Sequence, residues 1–161
     1  VLSYDNASLP HALILSGRWS NRSEALDVGL RSLRWLMAEQ TAEAGHFRPI
    51  GSNGFYRRGQ QRATFDQQPL EACASVSACV EAWSATGDSF WLREAWRAFA
   101  WFLGDNDLHL PLYDARTGGC FDGLQDDSVN MNQGAESTLA FLLALQEMRL
   151  IELAHHSIPK P

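Results

Sequence analysis

A chain of 161 residues is long enough for one domain with its own core, and 45% hydrophobic content with six Trp and eight Phe excludes a disordered chain. A net charge of −6 excludes general affinity for nucleic acid or an anionic membrane surface. No apolar run reaches transmembrane length and no signal peptide is visible, so neither a membrane nor a secretory route is expected.

Residues 1–7 read as an incoming loop. Ser8 or Leu9 opens a short apolar helix that tolerates Pro10 in its first turn and ends near Trp19. Asn21 or Ser23 is expected to cap a second helix to about Gln40, with Leu26, Leu30, Leu33 and Met37 at helical spacing. Gly45 starts a long aromatic-containing loop over 45–67, in which Asn53-Gly54 has the composition of a small hairpin turn. Pro69 opens a third helix to about Thr86, apolar or small nearly all round and so expected to be buried on several faces. Gly87 stops it. Asp88 then caps a fourth, amphipathic helix to Leu103, followed by a second long loop over 104–131. A fifth, mostly apolar helix runs from Gln133 to about Leu153, and the domain is assigned to 1–154 with a frayed tail at 155–161. Five Trp at positions 35, 83, 91, 96 and 101 fall at helical spacing and are expected to pack between helices.

The chain contains an internal repeat. Gln-x-x-Glu occurs at Gln68/Glu71 and again at Gln133/Glu136, 65 positions on, each time after a long loop and at the start of an apolar helix. Long loops lead from the amphipathic second and fourth helices into the apolar third and fifth, while Thr86-Gly87-Asp88 is tight. The loops should therefore gather at one end, where the apolar helices begin. The expected class is all-α, with antiparallel helical hairpins.

Three Cys form no disulfide framework: Cys73 and Cys79 lie six residues apart in one predicted helix, on different faces, and Cys120 lies in a loop. Free thiols point to a reducing, cytoplasmic compartment, which leaves the N-x-S triplets at Asn6 and Asn21 without meaning as glycosylation sites. The five His show no zinc spacing, and Asp122, Asp126 and Asp127 do not match a calcium loop, so neither metal nor cofactor is expected. Of thirteen cationic residues all but Lys160 are Arg, which reflects either codon bias or planar recognition of carboxylates, phosphates or sugar hydroxyls.

The stretches Gly51-Ser52-Asn53-Gly54-Phe55-Tyr56, Asp66-Gln67-Gln68-Pro69-Leu70-Glu71-Ala72 and Asn132-Gln133-Gly134-Ala135-Glu136-Ser137-Thr138 resemble the helical modules found alone or beside bacterial glycosyltransferases. More loosely they resemble the six-hairpin (α/α) toroid glycosidases and sugar epimerases. The resemblance spans about residues 4–149 and implies an arc of an (α/α)6 toroid, since the predicted helices supply only part of such a ring. It further implies a carbohydrate ligand, with a glycosyltransferase domain or a second copy of the chain as protein partner.

On that layout Asp66, Glu71, Asp122 and Glu136 converge on one cleft, where glycan hydrolysis or isomerisation would use a protonated and an ionised carboxyl. Asp66 and Glu136 are the favoured acid/base pair. Phe55, Tyr56 and Tyr113 would stack on sugar faces, Asn53, Gln67, Gln68 and Gln133 would bond hydroxyls, and Arg57 with Arg48, Arg58 and Arg62 would meet an anionic group. Each has a structural counterpart. Glu71 and Glu136 suit the positive end of a helix dipole, Asp66 an N-cap or Asx turn, and the arginines salt bridges. A second functional reading is a non-catalytic helical domain accessory to a glycosyltransferase or mediating assembly of copies of itself.

Overall fold

The computed structural model describes residues 1–156. Five helices carry the fold: α1 (Ser8–Trp19), α2 (Ser23–Glu39), α3 (Pro69–Thr86), α4 (Ser89–Ala100) and α5 (Ala135–His156). The predicted fraying of the tail lies mostly in 157–161, outside the described residues; α5 itself continues past the expected end at Leu153.

Local chemistry accounts for most of the boundaries. Pro69 sits in the first turn of α3, where its missing N–H costs no hydrogen bond. At the other end Gly87 takes a left-handed φ of 70° and its N–H bonds the Trp83 carbonyl at 2.7 Å. The Asp88 carboxylate accepts the Phe90 N–H at 2.9 Å and starts α4. α4 tightens into a 3-10 turn over Trp101–Leu103 rather than staying α-helical to Leu103. The cap of α2 differs from expectation: Arg22 stands at the N-cap without a side-chain bond, and Asn21 instead takes φ 51° in the turn from α1.

α1 packs on α2, α3 on α4, and α3 lies against both α1 and α5. The protein is thus mostly helical, with an inner row α1–α3–α5 and α2 and α4 outside it. Glycine sets the α1–α2 approach, because a Cβ on Gly29 would stand 2.8 Å from Ile14 Cγ1 and one on Gly17 would stand 2.5 Å from the Leu26 nitrogen. Arg97 of α4 reaches the end of α2, donating to the Gln40 and Met37 carbonyls at 3.2 Å each while pairing with Glu94. α3 is buried on several faces as expected, through Ala72, Val76, Ala78, Cys79 and Ala82. Trp91 and Trp101 are core residues, but Trp35 and Trp96 stand about half in solvent. α5 is packed on one side only. It buries Ala140, Phe141, Ala144, Met148 and Ile151 and leaves a row of leucines exposed on the opposite side.

The second long loop is not irregular. It folds into two antiparallel hairpins, β1 (Tyr113–Asp114) with β2 (Gly119–Cys120) and β3 (Gly123–Leu124) with β4 (Val129–Asn130). The first loop is pinned as well. Its Asn53-Gly54 pair closes no two-residue hairpin; residues 51–55 form a wider turn, with Ser52 N–H on the Asp66 carbonyl (2.9 Å) and Asn53 N–H on that of Phe65 (3.1 Å). Gly51 permits this, since a Cβ there would overlap the Phe65 peptide. Among the described residues no helix is long and apolar enough to cross a membrane.

Candidate functional site

The two loops meet where α3 begins. Gln67 and Leu124 exchange N–H···O bonds of 2.9 Å in both directions, so β3 lies beside the segment leading into α3. Beneath this bridge Gln67 is fully buried; its Oε1 accepts from Trp101 Nε1 at 2.7 Å and its Nε2 donates to Asp107 at 2.6 Å and to the Thr64 carbonyl at 3.1 Å. Asp107 also receives Arg48 Nε at 2.8 Å and His46 Nε2 at 2.9 Å. Burial alone would raise the Asp107 pKa, but the hydrogen bonds from Arg48, His46 and Gln67 outweigh it and hold the carboxyl below the usual range. Arg48 therefore takes the salt-bridge role. Neither Asp107 nor His46 stood out in the sequence, because the network joins positions 46, 48, 67, 101 and 107 that share no spacing.

Above the bridge lies an open pocket of about 490 Å³ lined by Asn53, Thr64, Phe65, Asp66, Gln125 and Asp126. Asp66 is its distinctive member. Its Oδ1 is buried without a hydrogen-bond partner, close over Gly123, and burial raises the pKa of the carboxyl. Gly123 makes room for it: a Cβ there would stand 2.8 Å from the Gln67 carbonyl oxygen and 3.1 Å from Asp66 Oδ1. No cation lines the pocket.

Of the residues selected from sequence, the pocket brings together Asn53 and Asp66. Glu136 is exposed on the first turn of α5 and does not line it; the second carboxylate there is Asp126. Glu71 is buried inside, accepting Asp5 N–H, Asn6 N–H (3.2 Å) and Asn6 Nδ2 (3.0 Å), and so fixes the turn that opens α1. Burial raises its pKa against the lowering effect of those bonds. Asp122 does the same for α5. It accepts Gly134 N–H at 2.7 Å together with Asn132 and Ser137, and these bonds overcome its desolvation and lower its pKa.

The aromatic candidates are turned to packing. Tyr113 stacks on Phe141 with centroids 4.4 Å apart, Phe55 meets Tyr4 edge-on at 5.3 Å, and Tyr56 pairs its backbone with Leu2. Gln133 accepts a bond from Thr117 at 2.9 Å, the Gln68 amide lies over Gly123, and Arg57 and Arg58 are exposed. Thr64, Phe65, Gln125 and Asp126 also line the pocket, and no sequence motif marked them for it. Asp126 was visible only as one acid of a loop, and it reaches the same pocket as Asp66 only in the folded chain. The three thiols are buried and unpaired, and burial pushes Cys73 to about 11 and Cys120 to about 12, which leaves them protonated and inert. Among the described residues no group of three or more His, Cys, Asp or Glu is placed to hold a metal ion.

No family model matches this chain, and no curated protein matches it.

Proposed function

We propose that the chain is a carbohydrate-recognising helical module, an arc of an (α/α) toroid, whose glycan sits in the pocket between the two long loops. The observation that carries this reading is Asp66: a carboxyl with a buried, unpartnered oxygen at a pocket otherwise lined by a threonine, two carboxamides, a second carboxylate and an aromatic ring. Carboxylates and carboxamides take vicinal hydroxyls in pairs, and a ring such as Phe65 offers an apolar face to a pyranose. The inner row α1–α3–α5 with its outer helices supports the toroid, since loops from successive hairpins then share one end.

The lining also narrows the ligand. Two carboxylates and no cation disfavour sugar phosphates and uronic acids, and favour neutral or amino sugars. Hydrolysis or isomerisation would draw on Asp66 as the acid, its pKa raised by burial, with Asp126 as the second carboxyl.

The test is a glycan array followed by calorimetry on the binders, with Asp66→Asn and Asp126→Asn variants. Binding of neutral or amino sugars should weaken at least about tenfold in Asp66→Asn, the loss of one charge-assisted hydrogen bond. Absence of any glycan binding, or binding indifferent to both substitutions, would sink the reading.

A further inference from the structure

The exposed side of α5 is a continuous apolar stripe. Leu139, Leu142, Leu143, Leu150 and Leu153 are 57, 45, 54, 58 and 64% exposed, while Ala140, Phe141, Ala144, Met148 and Ile151 pack inward. Their spacing follows one face of the helix, and the stripe is about 21 Å long at 1.5 Å per residue. Together the five leucines leave roughly 500 Å² of apolar surface in water, toward the top of what a single patch on a monomer shows. A helix so exposed on one side and packed on the other has a stripe built for another surface.

We propose that this stripe is the interface of a two-fold dimer, in which α5 of one copy packs antiparallel on α5 of a second copy about an axis through Gln146. The order of the residues along the stripe is symmetric. Reading outward from Gln146, Leu142 and Leu150 stand at equal distances, and so do Leu139 and Leu153. An antiparallel pair centred there sets Leu139 against Leu153 and Leu142 against Leu150, each contact made twice, as an isologous interface requires. Leu143 falls opposite Arg149, whose aliphatic stem covers it while the guanidinium stays at the rim.

Gln146 is exposed in a single copy and is the one uncharged polar residue within the stripe. On the axis it meets its own counterpart. A carboxamide carries both a donor and an acceptor, so two of them satisfy each other, and a polar pair inside an apolar seam fixes register. Two stripes bury about 1,000 Å², the lower bound for a specific interface, so the dimer should be of modest affinity. A membrane surface is the weaker fit, because the stripe carries Arg149 as its only cation and the chain is acidic overall.

The experiment is sedimentation velocity on the full chain across a hundredfold concentration range, paired with cross-linking. Wild type should move from monomer to dimer. Leu143→Glu and Leu150→Glu, both at exposed positions and so expected to keep the native circular dichroism spectrum, should weaken association at least tenfold. All three native thiols are buried, so Gln146→Cys supplies an accessible one on the axis and should form a disulfide-linked dimer under mild oxidation. A chain monomeric throughout overturns the proposal and leaves the stripe to a different protein surface. So does a dimer that neither glutamate variant weakens, or in which Gln146→Cys fails to cross-link, since either places the contact elsewhere, for example on the Leu9–Leu13–Trp35 groove of α1 and α2.

Discussion

Glu71 and Glu136 occupy the same place in a repeated motif and have different surroundings. α3 begins at Pro69, so Glu71 reaches the third helical position and turns inward to the Asp5–Asn6 turn; α5 begins at Ala135, and Glu136 stays in solvent. The helix dipole favours a carboxylate in both positions, and only the neighbour decides whether it acquires partners. Glu71 accepts from three donors. Glu71→Gln should therefore lower stability by about 1–3 kcal/mol, because the new amide brings N–H groups toward N–H groups. Denaturant titration at pH 7 checks it, and an unchanged midpoint would mean that the turn is held by other contacts. Asp122 acts on the same principle from the link between the two hairpins, so carboxylates from other segments hold the chain where α1 and α5 begin.

Among the elements, the contact between α1 and α2 depends on two glycines that composition hides. Gly29 sits inside a helix, where alanine would ordinarily stabilise by about 1 kcal/mol. Here the added methyl would press on Ile14 Cγ1 at 2.8 Å and on the Ile14 nitrogen at 2.9 Å, and backbone cannot rotate away. Overpacking should win. Gly29→Ala is expected to cost a net of about 1–2 kcal/mol, seen as a lower melting temperature. A rise in melting temperature would show that the two helices separate without penalty. Helical periodicity placed α2 and α4 well because their apolar stripes are narrow. It does not separate the two sides of α5, where leucines form the exposed row and Ala140, Phe141, Ala144, Met148 and Ile151 the buried one. Periodicity counts apolar residues and cannot tell a face covered within the chain from one left exposed.

For the whole molecule, Asp107 joins the two loops to the start of α3 through His46, Arg48 and Gln67. Its folded pKa lies below the ordinary value, so its contribution to stability is complete above about pH 4 and is lost as pH falls through the folded value. Asp107→Asn should destabilise by about 2 kcal/mol at pH 7, as the loss of a bond to a charged partner implies. The difference from wild type should shrink on acidification below about pH 4. Parallel denaturation curves for both proteins from pH 7 to 3 test this, and a gap that stays constant would remove Asp107 from the ionic role.

Helix number, most helix boundaries and the convergence of both loops on the start of α3 were legible in the residues themselves. Proline, glycine and a capping Asp88 act within a few positions, and the apolar period is a property of each segment alone. The two hairpins of the second loop, the Gln67–Asp107 network and the meeting of Asp66 and Asp126 at one pocket were decided only by tertiary structure. The Gln67–Leu124 bridge, which brings the two loops together, joins residues 57 positions apart through backbone atoms. Backbone hydrogen bonding leaves no mark in residue identity, so which side chains it gathers around a pocket appears only once the chain has folded.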